Sequence, residues 1–200
     1  MPKSYALKRP LDFCLAVIGL FFSFPLWVLF IFLIWIEDYG PVFYIQERVG
    51  WNGKIFKSIK FRSMKPEAEK GMGPIQAKEN DPRITNIGRF LRKTALDELP
   101  QLINIFKGEM SFVGPRALRP TEKGNCDNIT KSVFDFPEFK VRSRVKPGLT
   151  GTAQVFTSRN LAYEGKFKYD LWYIDNTSCW LDIKLIARSI LITFNASWDS

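Results

Sequence analysis

The stretch Phe13 to Ile36, FCLAVIGLFFSFPLWVLFIFLIWI, runs for 24 residues without a charged side chain. Roughly 20 apolar residues suffice to cross a hydrocarbon core, and a buried helix of a water-soluble domain seldom needs so long an uncharged run. The segment reads as a membrane helix. It is expected to stay attached to the chain, because the run is too long for a signal peptide and Glu37-Asp38-Tyr39-Gly40-Pro41 lacks a small-residue cleavage pattern. Pro25, in Ser23-Phe24-Pro25 near the middle, has no N–H to donate, so a kink is expected there. Straight, the helix would span a bilayer; bent back at Pro25, each half would be only about 15 to 18 Å long, which suits a re-entrant hairpin. Lys3, Lys8 and Arg9 precede the run, and Arg48, Lys54, Lys57, Lys60 and Arg62 follow it. Basic flanks favour the cytoplasmic side, so neither end looks translocated, although Glu37 and Asp38 stand nearest the second end and leave a kinked full crossing open.

Outside this helix the chain is strongly basic. Lys and Arg total 29 against 20 Asp and Glu, a formal charge of +9. Residues 1–40 hold three groups of each sign, so the whole excess belongs to residues 41–200 and implies an anionic partner. Histidine is absent, which excludes Ser-His-Asp and Cys-His nucleophile pairs and every His-ligated zinc centre. Cys14, Cys126 and Cys179 are odd in number and widely spaced, arguing against a disulfide framework or a structural zinc site and for a reducing compartment. Proton chemistry falls to carboxylates, lysines or tyrosines.

Gly40-Pro41 marks a boundary between the membrane helix, residues 1–40, and a catalytic-sized domain, residues 41–200. The alternation in Val42-Phe43-Tyr44-Ile45 and in Ile55 to Phe61, around the Gly50-Trp51-Asn52-Gly53 turn, predicts a small hairpin. Lys65 to Asn80 reads as a mobile loop. Ile84 to Phe106 holds two helical patterns, Ile87/Phe90/Leu91 and Leu99/Leu102/Ile103/Phe106, ending at Gly108. Two aromatic-rich amphipathic pieces follow between Phe167 and Phe194, separated by Asn176-Thr177-Ser178. Their mixture of Trp, Tyr and cations suits helices at a headgroup layer as well as ordinary core packing. The expected class is α+β: a kinked re-entrant membrane helix, then a compact, mostly helical cytosolic domain with a small hairpin and interfacial amphipathic helices.

Adjacent acids draw attention in Lys93-Thr94-Ala95-Leu96-Asp97-Glu98-Leu99-Pro100-Gln101. Pro is tolerated in a first helical turn, so the second helix is expected to begin near Asp97 or Glu98, with both carboxylates at its positive end. An ionised Asp can bind Mg²⁺ or attack phosphorus, and a neighbouring Glu can handle a proton. The competing reading is structural, since Thr94 and Asp97 also fit a capping box. Isolated cations near glycine or proline, including Lys60, Arg62, Arg92, Arg116 and Arg159, could cradle phosphate, although each taken singly is a surface charge. No GxG-like fragment has the strand, spacing and helix of a P-loop or a dinucleotide fingerprint.

Five blocks in one order carry a resemblance: KFRSM at Lys60–Met64, NDPRITNIGRFLR at Asn80–Arg92, LDELPQL at Leu96–Leu102, MSFVGPR at Met110–Arg116 and VKPGLTGTAQV at Val145–Val155. Behind an apolar N-terminus they resemble the bacterial sugar transferase family, the monotopic phosphoglycosyl transferases, from about Lys8 to Arg188. The resemblance implies that Asp97 attacks the β-phosphate of a nucleoside diphosphate sugar, usually a UDP-sugar, with Glu98 as its catalytic partner. A polyprenol phosphate, typically undecaprenyl phosphate, would then take the sugar-phosphate and begin glycan assembly. It further implies Mg²⁺ at the diphosphate and Asp97, phosphate held by Arg116 and Arg159 with Lys60, Arg62 and Arg92 as softer candidates, and a helix that enters and leaves by one leaflet on the cytoplasmic face of the bacterial inner membrane. The chain departs from the family's pattern in three places: Phe24 separates Ser23 from Pro25, Ala117 replaces a Pro after Gly-Pro-Arg, and Phe156-Thr157-Ser158-Arg159 lacks the family's glycine. A non-enzymatic membrane adaptor with a basic docking face is the rival reading. A nucleic-acid binder is disfavoured by the apolar run and by the lack of a recognisable binding motif.

Overall fold

A computed structural model describes residues 5–66, 68, 81–126, 129–158 and 161–194. The apolar run forms one helix, α1 (Lys8–Asp38), which continues through Pro25 and is long and apolar enough to cross a membrane. Pro25 lies inside this helix, whose assignment is continuous across the position where a re-entrant kink is expected. Ser23, two residues before Pro25, accepts from the Trp27 indole N–H at 3.1 Å.

The hairpin expected from the alternation is present: β1 (Phe43–Val49) pairs antiparallel with β2 (Ile55–Phe61), Tyr44 opposite Lys60 and Arg48 opposite Phe56. The two helical patterns give α2 (Asn86–Lys93) and α3 (Gln101–Lys107), the latter closed by Gly108 at φ +85°. Gln101 begins α3, later than expected, because Asp97 and Glu98 lie on a separate 3-10 turn, Leu96–Glu98. Most of the loop expected at Lys65–Asn80 lies outside the described residues. Beyond α3 come β3 (Ser111–Val113), β4 (Lys123–Cys126), β5 (Ile129–Ser132), α4 (Pro137–Arg142), β6 (Gly148–Thr150) and α5 (Thr152–Phe156). The two amphipathic pieces form α6 (Tyr163–Asp175) and α7 (Cys179–Phe194).

Two of these short sheets were not evident from the sequence: β3 runs parallel to β6, and β4 pairs antiparallel with β5. The β3–β6 crossing brings the last two motif blocks together. A Cβ on Gly148 would collide with the Gly114 backbone nitrogen, and one on Gly151 with the Gly114 carbonyl oxygen. Glycine is required there by close backbone approach.

The membrane helix is packed against the rest of the chain along its length. Near its start, Ala16 is buried with Phe56, Leu102, Ile105 and Met110; near its end, Phe30 and Ile34 are buried with Phe61 and Leu91. Its polar ends are also held. Asp12 accepts from the Ser111 hydroxyl and the Phe112 N–H, each at 3.0 Å, and Lys8 pairs with Asp182 at 2.6 Å. At the other end Glu37 accepts from the N–H groups of Asn86 and Ile87 at 2.7 and 3.3 Å, and Asp38 pairs with Arg62. The remaining face exposes large apolar side chains, including Phe21 at 75% and Phe22 at 74%. An apolar area of that kind is what a bilayer covers.

Candidate active site

The acid pair is set by the turn that joins α2 to α3. Thr94 does not cap the second helix. Its hydroxyl donates back to the carbonyls of Phe90 at 2.9 Å and Leu91 at 3.3 Å, closing α2, so the capping-box reading fails. Ala95 then takes a left-handed conformation, φ 53°, a position that L side chains rarely adopt, and reverses the chain into the 3-10 turn carrying Asp97 and Glu98. The N-terminus of α2 is secured by the Thr85 hydroxyl, which accepts from the Gly88 N–H at 2.9 Å, and by Glu37 of α1.

Lys60, projecting from β2, donates to Glu98 and forms an ion pair with it. Asp97 accepts no hydrogen bond among the described residues. Burial pushes the Asp97 carboxyl up to about 6, with Glu98 adding to the rise while Lys60, Arg92 and Arg116 oppose it. Burial acts in the same direction on Glu98, but there Lys60, Arg116 and Arg48 prevail and hold it below the usual carboxylate range. The two acids are thus separated: Glu98 is firmly ionised and engaged by Lys60, and Asp97 is less acidic and, among the described residues, outside any hydrogen bond or ion pair.

Of the cations expected from the sequence, the structure brings Lys60, Arg92 and Arg116 to the pair. Arg62 goes elsewhere. It is buried at the end of α1, pairing with Asp38 and facing the Ile34 carbonyl, so it tethers the membrane helix. Arg159 lies outside the described residues. Arg48 was missed, and it acts on Glu98 from β1. Its signal was the alternation Tyr44, Gln46, Arg48, a polar inner face on a strand whose outer face carries Phe43 and Ile45.

Two buried arginines hold the main chain beneath Arg116. Arg48 donates to the Ala117 carbonyl at 2.9 Å and to Gln46 at 2.6 Å, while Arg142 donates to the carbonyl of Arg116 itself. Arg142 is fixed by Asp170 of α6 at 2.6 Å and lies 5.0 Å from the Phe167 ring centroid. With its backbone gripped at consecutive residues, the exposed Arg116 side chain reaches outward toward the acids. Burial and the neighbouring Arg116 and Arg119 lower Arg48 to about 10, so it stays charged at neutral pH.

The sequence pattern of the family described as bacterial sugar transferase matches residues 3–196 of this chain. The chain belongs to the bacterial sugar transferase family. Among family members similar to it, the undecaprenyl-phosphate galactose phosphotransferase of Salmonella typhimurium is 35% identical over 198 residues, covering 92% of this chain and 39% of that protein. The exopolysaccharide production protein ExoY of Sinorhizobium fredii is 36% identical over 197 residues, covering 92% of this chain and 83% of ExoY. A Bacillus subtilis protein named as a putative undecaprenyl-phosphate N-acetylgalactosaminyl 1-phosphate transferase is 52% identical over 120 residues, 59% of this chain and 66% of that one. The chain thus spans about two fifths of the Salmonella relative and most of ExoY.

A bound Mg²⁺ must draw on few protein ligands here, because no group of three His, Cys, Asp or Glu side chains that could hold a metal occurs among the described residues. The donor set nonetheless fits this ion. Mg²⁺ is commonly held by one or two carboxylates together with substrate phosphates and water, and Asp97 presents a carboxylate that accepts no hydrogen bond among the described residues.

Proposed function

We propose that the chain is a phosphoglycosyl transferase that moves a sugar-phosphate from a nucleoside diphosphate sugar, a UDP-sugar by preference, to undecaprenyl phosphate or a similar polyprenol phosphate. The observation that carries this reading is an Asp97 carboxylate without a hydrogen bond among the described residues, next to a Lys60-bound Glu98 and within the field of Arg92 and Arg116. An Asp97 oxygen attacks the β-phosphorus of the donor. The bond to the oxygen bridging the two phosphorus atoms breaks, and the nucleoside monophosphate leaves with that electron pair. An oxygen of the polyprenol phosphate next attacks the same phosphorus, the bond to Asp97 breaks, and the carboxylate is regenerated. Glu98, kept ionised, accepts a proton from the acceptor when its phosphate arrives as the monoanion. Lys60, Arg92 and Arg116 offset the negative charge that gathers as two phosphates and a carboxylate meet. Mg²⁺, held by Asp97 and the diphosphate, would supply further neutralisation of the departing phosphate. Arg159 is assigned to phosphate binding by the family resemblance.

The same reading places the protein on the cytoplasmic face of the bacterial inner membrane with α1 in one leaflet. What supports it is that Asp12 and Glu37, near opposite ends of α1, both bond to the one catalytic body. A helix that crossed the bilayer would carry its two ends to opposite sides. A basic domain resting on headgroups can meet both a soluble polyanionic donor and a lipid whose phosphate lies at the surface.

Release of nucleoside monophosphate from labelled donor tests the catalytic reading. The wild-type protein in detergent or nanodiscs releases it on adding donor and Mg²⁺, and Asp97→Asn lowers the rate at least a thousandfold while still sedimenting with vesicles. Unimpaired release by Asp97→Asn, or no release by the wild type with any UDP-sugar, removes the proposal.

A further inference from the structure

A groove of about 390 Å³ lies between α5 and α6, lined by Thr152, Phe156, Lys168, Tyr169 and Trp172. Its volume is at the lower end of the range of small-molecule sites, roughly 300 to 1,000 Å³. The lining is almost wholly apolar. Phe156, Tyr169 and Trp172 are 47%, 41% and 49% exposed, so three aromatic rings leave much of their surface uncovered. Thr152 contributes no free donor, because its hydroxyl already bonds to the Tyr169 carbonyl at 2.8 Å. An occupant of this groove is a hydrocarbon.

Cations mark its mouth. Lys168 lines the groove, and the Arg188 guanidinium lies 4.6 Å from the centroid of the Phe156 ring. Neither forms an ion pair among the described residues. A phosphate monoester carries about −1.5 to −2 at neutral pH, which two cations complement, whereas a zwitterionic phospholipid headgroup brings its own ammonium. The helices that wall the groove are also tied to the Gly-Pro-Arg segment and to α7. It begins one residue after Gly151, which packs against the Gly114 carbonyl of the Gly-Pro-Arg segment, and Gly148 bridges to Arg116. On its other side α5 packs on α7, whose exposed face carries Trp180, Ile183, Ile190 and Leu191 in the stripe of a helix lying at a lipid surface.

We propose that this groove holds the isoprenoid units of the polyprenol phosphate nearest its phosphate, with Lys168 and Arg188 facing the headgroup. The inference rests on the transferase reading above and adds to it where the acceptor's chain lies. A bilayer-embedded lipid would then reach Asp97 along the α5–α6 side, opposite in sequence to the segments that hold the donor.

Trp172→Glu sets a carboxylate in the groove, and Phe156→Ser removes one wall; both replace half-exposed side chains. With undecaprenyl phosphate as acceptor, each substitution is expected to raise the acceptor KM at least tenfold, with donor KM and kcat at saturating acceptor within twofold of wild type. Co-sedimentation with phosphatidylethanolamine and phosphatidylglycerol vesicles lacking polyprenol should be unchanged. An unaltered acceptor KM in either folded variant overturns the assignment. So does loss of vesicle binding in step with activity, which makes the groove a phospholipid-docking surface. Failure of the wild-type protein to release nucleoside monophosphate from donor alone is a separate result; it removes the transferase reading, and the acceptor groove with it.

Discussion

Burial raises the Asp97 carboxyl toward 6 while three cations pull against it, and that balance fixes how the reaction responds to pH. Only the ionised carboxylate is a nucleophile. Because the folded-state value is raised, the competent fraction is lost as pH falls through about 6. The kcat/KM for the donor, which reports the free enzyme, is therefore expected to be level above that point and to fall about tenfold per pH unit well below it. A profile flat down to pH 4.5 would mean that the Asp97 carboxyl is not raised in the working enzyme. At this scale the motif residues were the legible part. Lys60, Arg92 and Arg116 could be picked out because each belongs to a recognisable block, and the structure gathers them. Arg62 sits in the same block as Lys60 but two residues further on, just past the end of β2, and it serves the end of α1 instead. Arg48 carried no motif; it stands on the polar inner face of the hairpin, and its role follows from the Ala117 carbonyl that lies against it.

The elements divide by length. The long helix α1 and the β1–β2 hairpin were readable because their apolar periods run for many residues. Strands β3 and β6 have three residues each, too few to establish a period, and they pair across more than thirty intervening positions. Their pairing depends on glycine contacts that appear only after the chain has folded. The tie at the start of α1 was hidden for a related reason: the partners of its buried acid Asp12, 3% exposed, are Ser111 and Phe112, about a hundred residues away. Asp12→Ala would leave the Ser111 hydroxyl and Phe112 N–H without this acceptor. It is expected to destabilise the protein by about 1 to 3 kcal/mol, read as a lowered denaturation midpoint in detergent. An unchanged midpoint would show that this junction contributes nothing to holding α1.

For the whole molecule, the chief question is which side of the bilayer each end of α1 occupies. Both ends are tied to one body, and the +9 charge lies entirely in residues 41–200, which supports the proposed arrangement of a basic domain on a membrane with its helix lodged beneath it. In a variant with Cys14, Cys126 and Cys179 replaced by Ser, single cysteines at Leu7 and Tyr39 flank the helix at positions 66% and 71% exposed. A membrane-impermeant thiol reagent applied to intact spheroplasts is expected to label neither until the cells are opened. Labelling of one site but not the other would establish a full crossing.

The central claim is a covalent bond between an Asp97 oxygen and the phosphorus of the donor. Wild-type protein mixed with a UDP-sugar and Mg²⁺, without acceptor, then acid-quenched and digested, tests it by mass spectrometry. The account predicts a sugar-phosphate on the peptide containing Asp97, absent from Asp97→Asn and discharged on adding undecaprenyl phosphate. Turnover to lipid-linked product with no adduct on that peptide at any time point would contradict it.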